Sequence, residues 1–298
     1  MASMRIGFVG LGDMGMPMAR SLLRGGIELA VYDIRHEAVR KMVSLGAQAV
    51  SSCRELASSS DVVISMVRDS AQNDAVLFGE NGVWAGVKPG SVIIIGSTVG
   101  PAYCQELYMK AKRKDVQVVD CAVTDPSGQT HRLGGLTLMV GGDADVVKRC
   151  WPVFQAMGKN IFYLGSIGNG QACKLVHQIN AFNISTVTRE SLNLGIKAGL
   201  DLTTMVCALS RGLGSTKGLQ RMAATLTSAK PAGARPIVSQ APVTSGTPAK
   251  NPLSKDTQLA MAMAKDVGAE MPIASYVETL DTASLYQAYA AAMRLQAK

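Results

Sequence analysis

The segment RIGFVGLGDMGM, residues 5–16, carries the strongest indication of the fold in this sequence. The apolar run at residues 5–10 is typical of a buried β-strand, and the amphipathic segment at residues 16–24 is typical of a helix. Between them lies a turn of the form GxGxxG, made of Gly10, Leu11, Gly12, Asp13, Met14 and Gly15. In this setting the first glycine permits the tight turn, the second lets a pyrophosphate approach the backbone, and the third lets the helix pack on the strand. The sequence therefore predicts a dinucleotide bound at the helix N-terminus.

The second predicted strand, residues 28–33, ends at an acidic residue, Asp33. This is close to the spacing of about 20 residues at which a carboxylate accepts hydrogen bonds from the adenosine ribose. Because a carboxylate repels a 2′-phosphate, Asp33 favours NAD. Arg35 offers the alternative, since an arginine here accommodates the 2′-phosphate of NADP. We therefore expect NAD as the cofactor, with NADP as the other option.

Apolar runs alternate with amphipathic segments as far as about residue 165. The later runs fall at residues 62–66, 91–95, 116–120, 136–140 and 160–164. This alternation predicts a doubly wound, parallel α/β sheet of the Rossmann type, covered by helices on both faces. Beyond it the pattern is helical, with predicted helices at residues 171–198, 201–210, 216–228, 255–267 and 272–294 and a loop rich in Pro, Gly, Ser and Thr at residues 229–253. The predicted domains are thus a Rossmann domain at residues 1–165 and an all-α domain at residues 166–298.

The composition indicates which kinds of ligand the protein binds. The 298 residues carry a formal charge of +8, but the basic residues are scattered and only 5% of residues are aromatic. This argues against a nucleic-acid surface and favours small anionic ligands. The six cysteines and three histidines show no spacing typical of a metal site. Without a leader or a membrane span in the sequence, we expect a cytoplasmic protein with no membrane partner.

Ligands of such sheets bind at the carboxyl ends of the strands. Met66 and Val67 follow one central strand and Thr98 follows the next, so we predict that they contact the cofactor, Thr98 on its nicotinamide side. The segment GNGQACKLVHQ, residues 168–178, leads into the long helix. In that helix Lys174 and Gln178 share one face. This segment is the candidate for the chemistry of hydride transfer.

Several motifs together resemble the β-hydroxyacid dehydrogenases, the family of 3-hydroxyisobutyrate dehydrogenase and tartronate semialdehyde reductase. They are GFVGLGDMGMPMA at residues 7–19, Ser97-Thr98, LTLMVGG at residues 136–142, GNGQACK at residues 168–174, and Lys255-Asp256 followed by Met271-Pro272. The resemblance runs the length of the chain. It implies a helical domain like the C-terminal domain of 6-phosphogluconate dehydrogenase and assembly as a homodimer or homotetramer.

The resemblance also implies roles for two lysines. Lys174 would accept the hydroxyl proton as the alcohol is oxidised and return it to the alkoxide in reduction. It would act either with a pKa lowered by partial burial or as a fixed cation. Lys255 matches the cofactor-contacting lysine of the family. The substrate would be a small anionic hydroxy acid or the matching semialdehyde.

The substrate-binding pattern of the family is altered in this chain. Thr124 stands where the family has a serine hydroxyl for the substrate carboxylate, and Asp125 stands where it has a glycine. Either Asp125 turns away, or the substrate offers it a hydroxyl or an ammonium. His177 and Gln178 replace two asparagines, and Gln178 keeps an amide at the substrate position. We predict Thr124, Asp125, His177 and Gln178 as substrate contacts.

Two alternative functions remain. The first is an imine oxidoreductase or an oxidoreductase of amino-alcohol acids, in which Asp125 would meet an ammonium. The second is a dinucleotide-binding scaffold without catalysis. Relatives with either an imine-reducing or a scaffold role commonly lack the lysine that this chain keeps at position 174.

Overall fold

The computed structural model describes residues 4–125, 135–227 and 252–280. The chain forms two compact units. The first comprises Met1–His177 and Asp256–Val267, and the second comprises Gln178–Lys255 and Gly268–Lys298. The domain boundary between residues 165 and 166 stays a prediction.

The first unit is built on a mainly parallel sheet. Its strands within the described residues are β1 (Ile6–Val9), β2 (Leu29–Tyr32), β3 (Gln48–Ala49), β4 (Val62–Ser65), β5 (Val92–Ile95), β6 (Gln117–Thr124), β7 (Leu136–Gly141) and β8 (Gly158–Tyr163). Their order is β3-β2-β1-β4-β5-β6-β7-β8. All neighbours are parallel except β6 and β7, which run antiparallel. The predicted Rossmann class is confirmed, and the antiparallel pair is the departure from an all-parallel sheet.

The strand and helix bounds follow the sequence pattern closely. The helices in the described residues are α1 (Gly15–Arg24), α2 (His36–Val43), α3 (Cys53–Ser59), α4 (Ser70–Phe78), α5 (Pro101–Lys112), α6 (Ala144–Met157), α7 (Asn169–Lys197), α8 (Leu202–Leu209), α9 (Lys217–Thr227), α10 (Pro252–Asp266) and α11 (Pro272–Thr279). In the ranges that the structure covers, none of these helices combines the length and the apolarity needed to cross a bilayer.

Two predictions about the helical half are corrected. The helix predicted at residues 255–267 begins earlier, because α10 starts at Pro252, and proline is favoured in the first helical turn. It thus includes the last two residues of the stretch that was predicted to be mostly loop, residues 229–253. Residues 229–251 of that stretch lie outside the described residues. The predicted helix at residues 272–294 is wrong at Leu280, whose extended backbone ends α11. Residues 281–294 of that helix lie outside the described residues.

Hydrophobic cores lie on both faces of the sheet. Neighbouring residues of one strand point to opposite faces, so Ile94 of β5 joins one core while Ile93 and Ile95 join the other. Every residue of β1, β4 and β5 is buried. Burial on both faces explains why these strands appear in the sequence as continuous apolar runs.

The second unit has its own small core. Leu192 of α7, Leu202 and Val206 of α8 and Ala223 of α9 are buried together. Asp201 caps α8 by accepting a hydrogen bond from the Thr204 N–H at 2.8 Å. The contact of α8 with α9 therefore gives this unit a folded centre among its described residues.

Candidate active site

The three glycines of the first turn serve different purposes in the structure. Gly10 has a φ of +93°, and a Cβ there would collide with the carbonyl of Met66. A Cβ on Gly15 would collide with the carbonyl of Gly10. Among the residues that the structure describes, a Cβ on Gly12 would meet nothing within 4 Å. The fold itself therefore requires glycine at positions 10 and 15, whereas the space at Gly12 remains open for a ligand.

Asp33 holds this turn in place. Its carboxylate accepts hydrogen bonds from the Leu11 N–H at 2.6 Å and from the Arg35 N–H at 2.8 Å. The Arg35 guanidinium donates to the Leu11 carbonyl at 2.9 Å and lies 3.3 Å from the Asp33 carboxylate. Burial raises the pKa of Asp33, but the hydrogen bonds from Arg35 and Leu11 outweigh it, so the pKa lies below its ordinary value. The acidic residue predicted from spacing is thus part of the turn's own scaffold.

The start of α1 fits a dinucleotide phosphate. Met14 occupies the N-cap without a side-chain hydrogen bond, and the first turn of the helix contains no acidic residue. A helix N-terminus without a competing carboxylate presents N–H groups and a positive dipole end to an anion. Together with the open space at Gly12, this makes residues 10–15 a fitting cradle for the pyrophosphate.

The carboxyl ends of β1, β4 and β5 lie side by side. The Met66 N–H donates to the Val9 carbonyl at 2.9 Å, and the Gly96 N–H donates to the Ser65 carbonyl at 2.9 Å. The Val67 N–H donates to the Ser97 hydroxyl at 2.9 Å. The structure therefore places the glycine turn, the residues after β4 and the loop carrying Thr98 at one edge of the sheet.

A buried carboxylate holds the start of α7 at the same edge. Asp120 of β6 is fully buried and accepts hydrogen bonds from the Gly168 N–H at 2.6 Å and the Gln171 N–H at 2.8 Å. Burial raises the pKa of Asp120 above its ordinary value, although these N–H donors partly offset that effect. The first turn of α7 is thus capped by a strand residue.

The glycines around this carboxylate make room for it. A Cβ on Gly170 would stand 2.6 Å from the Asp120 carboxylate, and a Cβ on Gly141 would stand 2.5 Å from it. Asp120 falls in the predicted strand at residues 116–120 and Gln171 in the segment at residues 168–178, but neither was predicted to have a role. The available signal was a charged residue inside an otherwise apolar strand.

Gln171 connects α7 to the loop after β5. Its amide nitrogen donates to the Ser97 carbonyl at 2.9 Å, and its amide oxygen accepts from the Val99 N–H at 3.1 Å. The side chain is fully buried. Thr98 lies between the two backbone groups that Gln171 binds, so the position of its backbone is fixed by α7.

Lys174 follows one helical turn after Gln171 and is 7% exposed. Such burial is uncommon for a lysine, which is almost never fully buried unless it is paired. His177, a further turn along, is partly buried. Thr124 ends β6 opposite Thr137 of β7, and Asp125 follows it; both are partly buried.

Two predicted contacts lie in the second unit. Gln178 is the first residue of that unit and continues α7, and Lys255 lies in the first turns of α10. Both are partly buried. Their proposed roles in substrate and cofactor binding stay predictions.

Both halves of the chain match known protein families. Residues 5–165 match the family described as the NAD binding domain of 6-phosphogluconate dehydrogenase. Residues 168–294 match the family described as the NAD-binding of NADP-dependent 3-hydroxyisobutyrate dehydrogenase.

Individual proteins that are similar in sequence are dehydrogenases or reductases by name. The chain is 33% identical to an NAD-dependent L-serine dehydrogenase of Pseudomonas aeruginosa over 72% of each chain. It is 38% identical to a 2-hydroxy-3-oxopropionate reductase of Escherichia coli over 73% of this chain and 74% of that one. The match to human mitochondrial 3-hydroxyisobutyrate dehydrogenase, at 36% identity, covers 66% of this chain and 58% of the human protein.

Among solved structures, a 3-hydroxyisobutyrate dehydrogenase from Salmonella typhimurium is similar at a TM-score of 0.73 and 26% identity, over 92% of this chain and 91% of that one. The resemblance predicted from the motifs is confirmed by these matches. The chain belongs to the β-hydroxyacid dehydrogenase family of NAD(P)-dependent oxidoreductases.

Proposed function

We propose that this protein transfers a hydride between NAD(P) and the hydroxyl of a small β-hydroxy acid, or reduces the matching semialdehyde. The observation that carries the proposal is the buried Lys174, one turn into a helix whose start is bonded to the loop after β5. The relatives support the substrate class, since their names refer to L-serine, 3-hydroxyisobutyrate and 2-hydroxy-3-oxopropionate.

Each substrate-facing residue has a distinct task in this proposal. When bound, the nicotinamide supplies the acceptor or donor of the hydride. Lys174 accepts the hydroxyl proton during oxidation and returns it to the alkoxide oxygen during reduction. The Thr124 hydroxyl and the Gln178 amide are assigned hydrogen bonds to the substrate carboxylate, and His177 is assigned a substrate contact.

Different residues contact the different parts of the cofactor in this proposal. Residues 10–15 hold the pyrophosphate, and Asp33 accepts hydrogen bonds from the adenosine ribose through lone pairs not used by the turn. Met66 and Val67 contact the cofactor, and Thr98 and Lys255 contact its nicotinamide half. We propose NAD as the preferred cofactor. The Arg35 side chain is 60% exposed. If it left the Leu11 carbonyl, it could bind the 2′-phosphate of NADP instead. The ratio of the Michaelis constants for NAD and NADP distinguishes the two cases.

The first experiment uses a substrate panel. NADH absorbance is followed with L-serine and 3-hydroxyisobutyrate in oxidation and with 2-hydroxy-3-oxopropionate in reduction. Replacing Lys174 with Ala should lower kcat by about 10²–10⁴-fold, the usual contribution of a general acid or base. The dissociation constant of NADH should stay nearly the same. Turnover that survives Lys174→Ala would contradict the proposal, and NADH binding without turnover on the whole panel would favour a scaffold.

A second candidate is an oxidoreductase of amino-bearing hydroxy acids. It is favoured by Asp125, a carboxylate at the end of β6 beside Thr124, and by the relative named for L-serine. A carboxylate attracts an ammonium, whereas it repels a substrate with only an anionic group. An imine reductase from Myxococcus stipitatus is similar at 18% identity, which shows the shared fold alone.

Asp125→Ala separates these two candidates. If Asp125 binds an ammonium, the substitution should lower kcat/KM for L-serine and leave that for 3-hydroxyisobutyrate unchanged or raised. Asp125→Glu, which keeps the charge, serves as the matched variant. Equal effects on both substrates would exclude the ammonium-binding role.

We further propose a cytoplasmic homodimer or homotetramer. The six cysteines are all free thiols in the structure, as expected for a reducing compartment. Sedimentation equilibrium of the full chain measures its assembly, and fractionation of cells expressing it measures its location. A monomer at all concentrations or a secreted product would contradict the respective proposal.

A further inference from the structure

We propose that Asp120 and Gln171 are positioning residues that fix the location of the Lys174 amine relative to the loop carrying Thr98. The inference rests on the proposed function, because it concerns the residue to which proton transfer is assigned. Neither side chain needs to touch the substrate in this role. Both act through the first turn of α7.

Asp120 holds the start of α7 against β6 by two hydrogen bonds. It accepts hydrogen bonds from two of the N–H groups that a helix start leaves without intrahelical partners, those of Gly168 and Gln171. Hydrogen bonds to an ionised acceptor are roughly twice as strong as neutral ones. A negative charge is also favoured at this end of the helix dipole. The start of α7 therefore binds the protein's own carboxylate, which anchors the helix to β6.

Gln171 holds the start of α7 against the loop after β5 by two further hydrogen bonds. It uses a donor toward the Ser97 carbonyl and an acceptor toward the Val99 N–H, so it binds the backbone on both sides of Thr98. A glutamate of the same shape would place an oxygen against the Ser97 carbonyl, and a leucine would leave both backbone groups without this partner. This requirement for one donor and one acceptor makes glutamine the fitting side chain.

The hydrogen bonds continue to the next strand. The Ser97 hydroxyl accepts a hydrogen bond from the Val67 N–H at 2.9 Å. The start of α7, the loop after β5 and the residue after β4 are thus joined by consecutive hydrogen bonds. Lys174 lies on the face of α7 that carries Gln171, since residues three apart are neighbours on a helix. A shift of Gln171 therefore shifts Lys174 with it.

A purely structural network would also be buried and bonded, so the test needs a readout that stability alone does not change. The variants are Gln171→Leu, which breaks both hydrogen bonds, and Gln171→Glu and Asp120→Asn, which are isosteric. Asn73→Leu is the matched control. Asn73 is fully buried and accepts a hydrogen bond from the Ser65 hydroxyl at 2.7 Å, but it lies in α4.

The first measurement needs no substrate. Reductive methylation of the folded chain, followed by mass spectrometry, gives the modification rate of Lys174 against the exposed Lys112. If Asp120 and Gln171 hold the amine in its buried place, their substitution should raise the rate at Lys174 severalfold and leave Lys112 unchanged. Asn73→Leu should alter neither rate. Equal rates at Lys174 in the parent and in all three variants would overturn the proposal.

The second measurement uses the panel substrate with the highest kcat/KM, below the unfolding transition of each variant. We expect Gln171→Leu to lower kcat by about 10²-fold, the effect of a misplacement of about 1 Å. NADH affinity should change little. The primary deuterium isotope effect should rise as hydride transfer becomes slower, with the label on the hydroxyl-bearing carbon of the substrate for an oxidation and on NADH for a reduction. Gln171→Glu and Asp120→Asn should fall between the parent and Gln171→Leu.

The outcomes separate this inference from the proposed function. An unchanged kcat in a folded Gln171 variant overturns the positioning role while leaving the role of Lys174 intact. Turnover that survives Lys174→Ala overturns the proposed function, whatever the Gln171 variants do. If Gln171→Leu does not fold, the two isosteric variants carry the same comparison.

Discussion

The residues of the glycine turn show how one motif combines folding and binding requirements. Gly10 and Gly15 are required by backbone that would collide with a Cβ, whereas no atom of the residues that the structure describes would lie within 4 Å of a Cβ on Gly12. We therefore expect that the need for glycine at position 12 comes from close approach of the dinucleotide to the backbone.

Gly12→Ala consequently tests the dinucleotide site without disturbing the fold. We expect the free energy of unfolding to stay within about 1 kcal/mol of the parent, because Ala also reduces the entropy of the unfolded chain. NADH affinity should fall at least tenfold, which corresponds to about 1.4 kcal/mol. Thermal unfolding and fluorescence titration measure the two effects. Gly15→Ala should lower both stability and affinity, and an unchanged NADH affinity in Gly12→Ala would contradict the assignment.

Asp33 makes the stability of the turn dependent on pH. Its pKa is lowered in the folded state, so its contribution to stability is present above the ordinary value of 3.8 and is lost as the pH falls through the folded value. Asp33→Asn should therefore lower Tm at pH 7, and the difference from the parent should shrink as the pH falls below the ordinary value of 3.8. Asp266→Asn, at an exposed position, should show little difference at either pH. A difference that grows on acidification would contradict this sign.

The residues of the glycine turn could be predicted from the sequence, but the hydrogen bonds around Asp120 could not. Gly10 to Gly15 form a local pattern in which the spacing itself carries the information. The hydrogen bonds of Asp120 and Gln171 join residues separated by 48 and 74 positions. No local pattern encodes such a pair, because the partner is selected by the topology of the sheet.

Strands could be predicted from the sequence where their burial requires a run of apolar residues. Strands β1, β4 and β5 are buried on both faces, so their apolar runs stand out in the sequence. Strand β3 has only two residues, both exposed, and it was not predicted. The direction of β7 was not predicted either, since apolar periodicity is the same for parallel and antiparallel strands.

Helix α4 gives a test at the scale of a single element. Asp69 caps it by accepting a hydrogen bond from the Gln72 N–H at 2.9 Å, and the Gln72 amide accepts from the Arg68 N–H at 3.0 Å. Asp69→Ala should lower the free energy of unfolding by about 1 kcal/mol, the usual cost of losing a cap. Asp69→Ser should recover most of this loss. Equal stability of parent and Asp69→Ala in denaturant unfolding would show that the cap contributes nothing.

At the scale of the whole molecule, the formal charge of +8 favours an anionic substrate. Screening shortens the Debye length from about 30 Å at 0.01 M to about 10 Å at 0.1 M ionic strength. We expect kcat/KM for an anionic hydroxy acid to fall over this range, mainly through KM. Sucrose at the same osmolarity is the control and should have no such effect. A kcat/KM that is independent of salt would show that the net charge does not assist binding.

The antiparallel pairing of β6 with β7 has a consequence for how this protein can change over evolution. Thr124 is registered opposite Thr137, so the chain leaves the sheet and returns to it at neighbouring positions. A connection anchored in this way can gain or lose residues at small entropic cost, because closure entropy grows only slowly with length. We therefore expect β6 and β7 to keep their register, and the glycine turn and Asp120 to keep their hydrogen bonds, when the sequence between Asp125 and Gly135 is exchanged for that of a relative.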